Sequence, residues 1–266
     1  MPPCLAYDDS DPRTPLTPLL LVHGHPFDRT MWHPQRTAFA PTRRVVVPDL
    51  RGYGASPLTP GSPPGITPLS RFAADLEELL DALGVTTCVL AGLSMGGQIA
   101  MECYGRLGPA RIRGLVLADT FPDPETPEGG RTRNAMADRL LRDGMRGYAD
   151  EVLEKMVAPH AHPDVKAHVH RMMTATNPEG AAAALRGRAE RPDYRPLLTG
   201  VTVPALVVVG AADEYTPVSD AEAMHTLLPD STLHVIDKAA HLPNLERPQE
   251  FNQVLGDFLA RVDEAS

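Results

Sequence analysis

Cys88-Val89-Leu90-Ala91-Gly92-Leu93-Ser94-Met95-Gly96-Gly97 is the stretch that decides the fold. Cys88–Ala91 reads as a short strand buried on both faces, and Met95–Leu107 reads as the helix that follows it. Between them a serine sits on a sharp strand-to-helix turn. Two backbones cross closely at such a turn, so the flanking positions have to be small, and Gly92 and Gly96 flank Ser94. The turn projects the hydroxyl above the C-terminal edge of a sheet. It also aims the first N–H groups of the helix at the same point, where developing negative charge is favoured. In this context the pattern predicts a nucleophile rather than an incidental serine.

Outward from that stretch, short apolar runs alternate with helical patterns. The runs are Leu19–Val22, Val45–Pro48, Leu115–Ala118, Ala205–Val209 and Leu233–Ile236. Most show no polar alternation, as expected of strands in a parallel sheet covered by helices on both sides. Helical spacing marks Ser70–Leu83, closed by Gly84, then Pro217–Leu228, with proline in its first turn, and Gln249–Val262. This order predicts an α/β fold with right-handed crossovers. The interval 121–200 breaks the rhythm. It holds four helical patterns, Arg131–Arg142, Met145–Val157, Val165–Thr176 and Glu179–Ala189, and no buried strand. Flanked by strands of one sheet, it reads as a helical cap inserted into a core of residues 1–120 and 201–266 rather than as an independent domain.

A serine hydroxyl is a weak nucleophile at neutral pH and needs an adjacent base. The chain order serine, acid, histidine points to Asp213, just after Ala205–Val209, and to His241, just after Leu233–Ile236. Both lie past the C-terminal ends of strands, the edge where open α/β sheets bind ligands. Glu214, Asp237 and Asp119 are rival acids ranked below Asp213. Acyl transfer also requires donors where the oxyanion forms. The backbone N–H of Met95 is one, and that of His25, in His23-Gly24-His25-Pro26, is the other; Pro26 has no N–H to offer. The His23 ring is expected to bond loop backbone, and the His25 ring to line the pocket. Asp49 and Arg51, in the loop Asp49–Ser56, are assigned to loop hydrogen bonding.

Together His23-Gly24, the Asp49–Ser56 loop, Gly92–Gly97, Gly210–Asp213 and Ala239–Leu242 resemble the α/β-hydrolase superfamily over about Leu19 to Phe258. The likeness is strongest to its 3-oxoadipate enol-lactonase, esterase and cofactor-free haloperoxidase branch. It implies Ser94 as nucleophile, His241 as base, Asp213 as the group that orients it, and a cap between the sixth and seventh strands. Two departures stand out. His25 replaces an often apolar or aromatic residue. The short N-terminus leaves room for one edge strand, Leu5–Asp8, in place of the opening hairpin.

The expected reaction is hydrolysis of a small-molecule ester or lactone through an acyl-enzyme, without a cofactor. The alternatives are thioester or C–C bond hydrolysis by the same residues, or a ligand receptor on this scaffold. Dehalogenase and epoxide hydrolase chemistry would need a carboxylate at position 94. A net charge of −9 opposes nucleic-acid binding. No apolar run reaches the roughly 18 residues of a membrane span, and the first residues do not read as a secretory signal. Three cysteines, Cys4, Cys88 and Cys103, fit a reducing, cytoplasmic setting. Nothing in the sequence sets an oligomeric state. Trp32, Phe121 and Leu242 are expected to line the substrate pocket. The cap is rich in arginine, one of which could bind a substrate carboxylate, and holds Met136, Met145, Met156, Met172 and Met173. His160, His162, His168 and His170 lack the spacing of a metal site, so none is expected.

Overall fold

Period-two alternation along each strand sends neighbouring side chains to opposite sides of one sheet. A computed structural model describes residues 5–58 and 65–265, which leaves Cys4 outside the described residues. These residues form seven strands: β1 (Tyr7–Ser10), β2 (Leu19–Val22), β3 (Val45–Pro48), β4 (Cys88–Leu93), β5 (Ile112–Ala118), β6 (Ala205–Gly210) and β7 (Ser231–Ile236). They lie in the order β1-β3-β2-β4-β5-β6-β7. β1 runs antiparallel to β3, and every other pairing is parallel.

The alternation is visible in the core. Leu19 and Leu21 of β2, with Val89 and Ala91 of β4, belong to one apolar layer; Leu20, Val22 and Leu90 belong to the other. The second layer is closed by α2 (Leu69–Ala82), α3 (Met95–Arg111) and α9 (Val218–Leu227). On α2 the buried residues Leu69, Phe72, Leu76 and Leu79 recur at helical spacing, and Gly84 takes the left-handed conformation that ends the helix. The first layer is closed mainly by α11 (Pro248–Glu264) through Phe251, Leu255, Phe258 and Leu259. Burying each such side chain stabilises by about 1.5–3 kcal/mol. Smaller helices, α1 (His33–Phe39) and α10 (Pro243–Glu246), pack beside it.

Between β5 and β6 the chain forms α4 (Pro127–Asp143), α5 (Arg146–Met156), α6 (Pro163–Ala175), α7 (Pro178–Arg188) and α8 (Arg195–Leu198). α4 and α7 share a small core of Ala137, Leu140, Ala181, Ala182 and Leu185. Four details differ from the sequence-based expectation. Among the described residues the helices fall between the fifth and sixth of seven strands, not the sixth and seventh, because β1 alone precedes β2. That strand, β1, is two residues later than Leu5–Asp8, since Leu5 turns into the core. Pro217 caps α9 from outside rather than starting it. β7 is an edge strand and only half-buried, and its His234 reaches Glu250 at 3.2 Å. No helix among the described residues is long and apolar enough to cross a membrane.

Candidate active site

Ser94 joins β4 to α3 with φ 58° and ψ −120°, a left-handed conformation that costs a side-chain-bearing residue about 1–3 kcal/mol. The surroundings hold it there. Ser94 N–H donates to the Ala118 carbonyl at 2.9 Å, and Thr120 Oγ1 donates to the Ser94 carbonyl at 2.8 Å. A Cβ on Gly96 would collide with the carbonyls of Val22 and His23, and one on Gly92 with the carbonyl of Gly96. The small neighbours are therefore a steric requirement of the turn. Thr120 gave no signal in the sequence.

The ends of β6 and β7 bring two more side chains to this turn. His241 Nε2 lies 2.9 Å from Ser94 Oγ, and His241 Nδ1 lies 2.7 Å from Asp213 Oδ2. All three residues are buried. The Asp213 carboxylate also accepts the N–H groups of Tyr215 (2.8 Å) and Thr216 (3.2 Å), and the Thr216 hydroxyl. Burial alone would raise the Asp213 pKa, but the His241 ring and these donors outweigh it and leave the carboxyl below its ordinary range. Asp213 is thus charged at neutral pH and acts as the acceptor for Nδ1–H. That fixes Nε2 as the nitrogen free to take the serine proton.

The rival acids are elsewhere or in another state. Glu214 and Asp237 are exposed and make no bond to His241 among the described residues. Asp119, at the end of β5, is buried and close: one ligand-capable atom from each of Asp119, Asp213 and His241 falls within 4.8 Å of the others. Its Oδ1 accepts the Gly210 N–H at 2.9 Å, while Oδ2 has no partner of good geometry. Burial first, and then the charge of Asp213, hold its carboxyl well above the usual range, which favours the neutral acid.

The N–H groups of His25 and Met95 donate to no protein group among the described residues. Two donors beside a serine and a base can stabilise an oxyanion. The His25 ring holds the Tyr53 hydroxyl at Nδ1, 2.8 Å. Burial, then the charges of Arg188 and Arg133, push its pKa well below the ordinary value, so it is neutral. His23 Nδ1–H donates to the Gly24 carbonyl (2.8 Å) and Nε2 accepts from Leu50 N–H (2.9 Å), tying this loop to the next. Asp49 accepts the N–H groups of Arg29 and Ala55, a loop role. Arg51 instead pairs with Asp75 of α2, its Nε 2.7 Å from Oδ2.

Ser94 and His241 open onto a cavity of about 190 Å³. Its other walls include His25, Phe121, Tyr148 and Arg188, so residues of α5 and α7 cover the sheet edge. A larger groove of about 540 Å³ between β7 and α11 contains none of these groups. Phe121 is in the wall, with the Arg191 guanidinium stacked on its ring at 4.5 Å. Trp32 and Leu242 are not. Both are fully buried in the apolar layer under α11, Trp32 against Phe251 at 5.9 Å. A place just after a strand locates a residue at the sheet edge, but packing decides whether it turns to the cavity or the core. The sequence singles out neither Tyr148 nor Tyr215, whose ring meets His241 edge-on at 5.3 Å, and marks Arg188 only as one of the cap arginines. Among the five methionines, Met156 reaches the cavity wall, while Met145, Met172 and Met173 pack in apolar clusters. The four histidines have separate partners: His160 the Lys238 carbonyl, His162 the Asp164 N–H, His168 Thr30 and His170 Asp150.

A sequence profile described as "Alpha/beta hydrolase family" matches residues 19–254. The fold superposes with TM-score 0.91 on a thermophilic esterase from Thermogutta terrifontis solved with malate bound; the two chains are 39% identical, with 97% of this chain and 94% of that one covered. By sequence, 3-oxoadipate enol-lactonase 1 of Acinetobacter baylyi is 29% identical over 88% of this chain and 85% of its own. The pimeloyl-[acyl-carrier protein] methyl ester esterase of Neisseria meningitidis is 31% identical over 92% and 78%.

Proposed function

This chain belongs to the alpha/beta hydrolase family, and from that premise we propose that it is a serine hydrolase of small carboxylic esters or lactones acting through an acyl-enzyme. Relatives named as esterases and enol-lactonases support ester hydrolysis in general. The observation that carries the finer reading is the unbroken relay from Ser94 Oγ to His241 (2.9 Å) to Asp213 (2.7 Å).

Ser94 Oγ attacks the carbonyl carbon while His241 Nε2 takes its proton. The Asp213 carboxylate holds Nδ1–H and balances the imidazolium. The carbonyl oxygen, now negative, rests between the N–H groups of His25 and Met95, each such donor contributing roughly 10²–10³ in rate. His241 passes its proton to the leaving alcohol, whose departure leaves the acyl group on Ser94. Water, deprotonated by the same nitrogen, then releases the acid. Residues 121–200 act as the cap that shapes the acyl pocket. The buried free thiols Cys88 and Cys103 suit a reducing, cytoplasmic setting.

Fluorophosphonates label activated serines, which makes them the first test. A single adduct on the peptide that contains Ser94 is the expected result. An unlabelled protein that hydrolyses esters, or an adduct on another serine, contradicts the assignment.

A further inference from the structure

Four arginines are buried: Arg43, Arg51, Arg188 and Arg191. Three have a carboxylate. Arg43 pairs with Asp263, Arg51 with Asp75, and Arg191 with Glu125 at 3.4 Å. Arg188, the last residue of α7 and 8% exposed, has none among the described residues. Its one hydrogen bond runs from Nε to the neutral Gln98 Oε1 at 3.1 Å. Its charged neighbours are more guanidiniums: Arg133 and Arg191, which share Glu125 between them. Burial, and then those two charges, push the Arg188 pKa down to about 9, and it remains a cation at neutral pH. The end of α7 offers only the partial negative charge of a helix C-terminus. An unpaired buried charge is destabilising, so fold stability gives no reason for this residue.

Its position does. Arg188 shares the cavity wall with Ser94 and His241. Two further wall residues, Tyr148 and His25, bring a phenol hydroxyl and a ring Nε2 that have no hydrogen-bond partner among the described residues. Among the described residues the cavity wall thus offers a guanidinium and a phenol hydroxyl as donors and contains no carboxylate.

We propose that this cavity binds a carboxylate through the Arg188 fork, and that the preferred substrates are short esters or lactones bearing a second, free carboxylate. The proposal rests on the reading of Ser94 as nucleophile. A guanidinium offers two parallel N–H groups that match the two oxygens of a carboxylate. A volume of about 190 Å³ lies below the ~300–1,000 Å³ of drug-sized sites, which favours compact half-esters over long acyl chains.

The test compares monomethyl succinate with its neutral isostere methyl 4-oxopentanoate. The wild type should favour the half-ester at least about tenfold in kcat/KM, the discrimination one charge-assisted pair supplies. Arg188→Met should lose roughly 100-fold on the half-ester and stay within about threefold on the neutral ester. Arg188→Gln should behave alike, and neither variant should melt below the wild type. Succinate binding to the Ser94→Ala protein, read by calorimetry, should vanish when Arg188→Met is added. Equal wild-type activity on the two esters, or an equal loss on both in the variants, overturns the proposal while Ser94-dependent turnover keeps the nucleophile reading. Succinate bound through Arg188, with no Ser94-dependent turnover of either ester, does the opposite: the carboxylate site stands and the nucleophile reading falls.

Discussion

The sheet edge and the helices above it meet in one cavity but are built on different terms. At the edge, Ser94, Asp213 and His241 hang from the ends of β4, β6 and β7, and every bond among them has its partner in place. Above it, Arg188 and Tyr148 present donors, and the His25 ring an open Nε2, that no anion meets among the described residues. The edge is complete without a ligand and suits the step common to all esters. The helical wall is left unsatisfied, and discrimination between esters is proposed to arise there.

Substitutions should separate the two regions by the size and kind of their effects. Ser94→Ala should reduce p-nitrophenyl acetate turnover by about 10⁶ and leave thermal unfolding unchanged, as expected for loss of a nucleophile. Asp213→Asn should cost roughly 10⁴, because it lets the wrong imidazole tautomer form. Asp119→Asn should stay within about tenfold, since an amide has the shape of the neutral acid that burial and the Asp213 charge favour. Equal losses in the two asparagine variants would move the orienting role to Asp119.

Below these come effects on stability. Leu242→Ala should cost about 2–5 kcal/mol in urea unfolding, the range for a buried leucine. Its kcat/KM ratio between short esters should not change; a selective change would return Leu242 to the pocket wall. Gly96→Ala should cost about 1–3 kcal/mol, because its new methyl meets the Val22 carbonyl. The smallest effect is expected in the helices. Tyr148→Phe should raise KM for monomethyl succinate less than about tenfold with kcat nearly constant, the mark of lost ground-state binding.

Legibility in the sequence followed the same divide. β2 to β6 could be read because strands covered on both faces are continuous apolar runs, and such runs stand out in any surroundings. Ser94 could be read because backbone crossing demands Gly92 and Gly96. Asp213 and His241 could be read because strand ends locate a functional edge. What stayed hidden depends on contacts between distant segments. Arg188 looks like any polar residue near a helix end until α7 docks over Gln98. Trp32 and Leu242 have the right place in the chain, but α11 draws both into the core. Thr120 reaches Ser94 only because β4 and β5 pair in a particular register.

The proposed chemistry turns on a covalent bond to one oxygen. Protein quenched with acid during p-nitrophenyl acetate turnover, digested and weighed by mass spectrometry, should carry one acetyl group on the peptide that contains Ser94, and the Ser94→Ala protein should carry none. Steady turnover with that peptide unmodified, or undiminished turnover by the alanine variant, would contradict it.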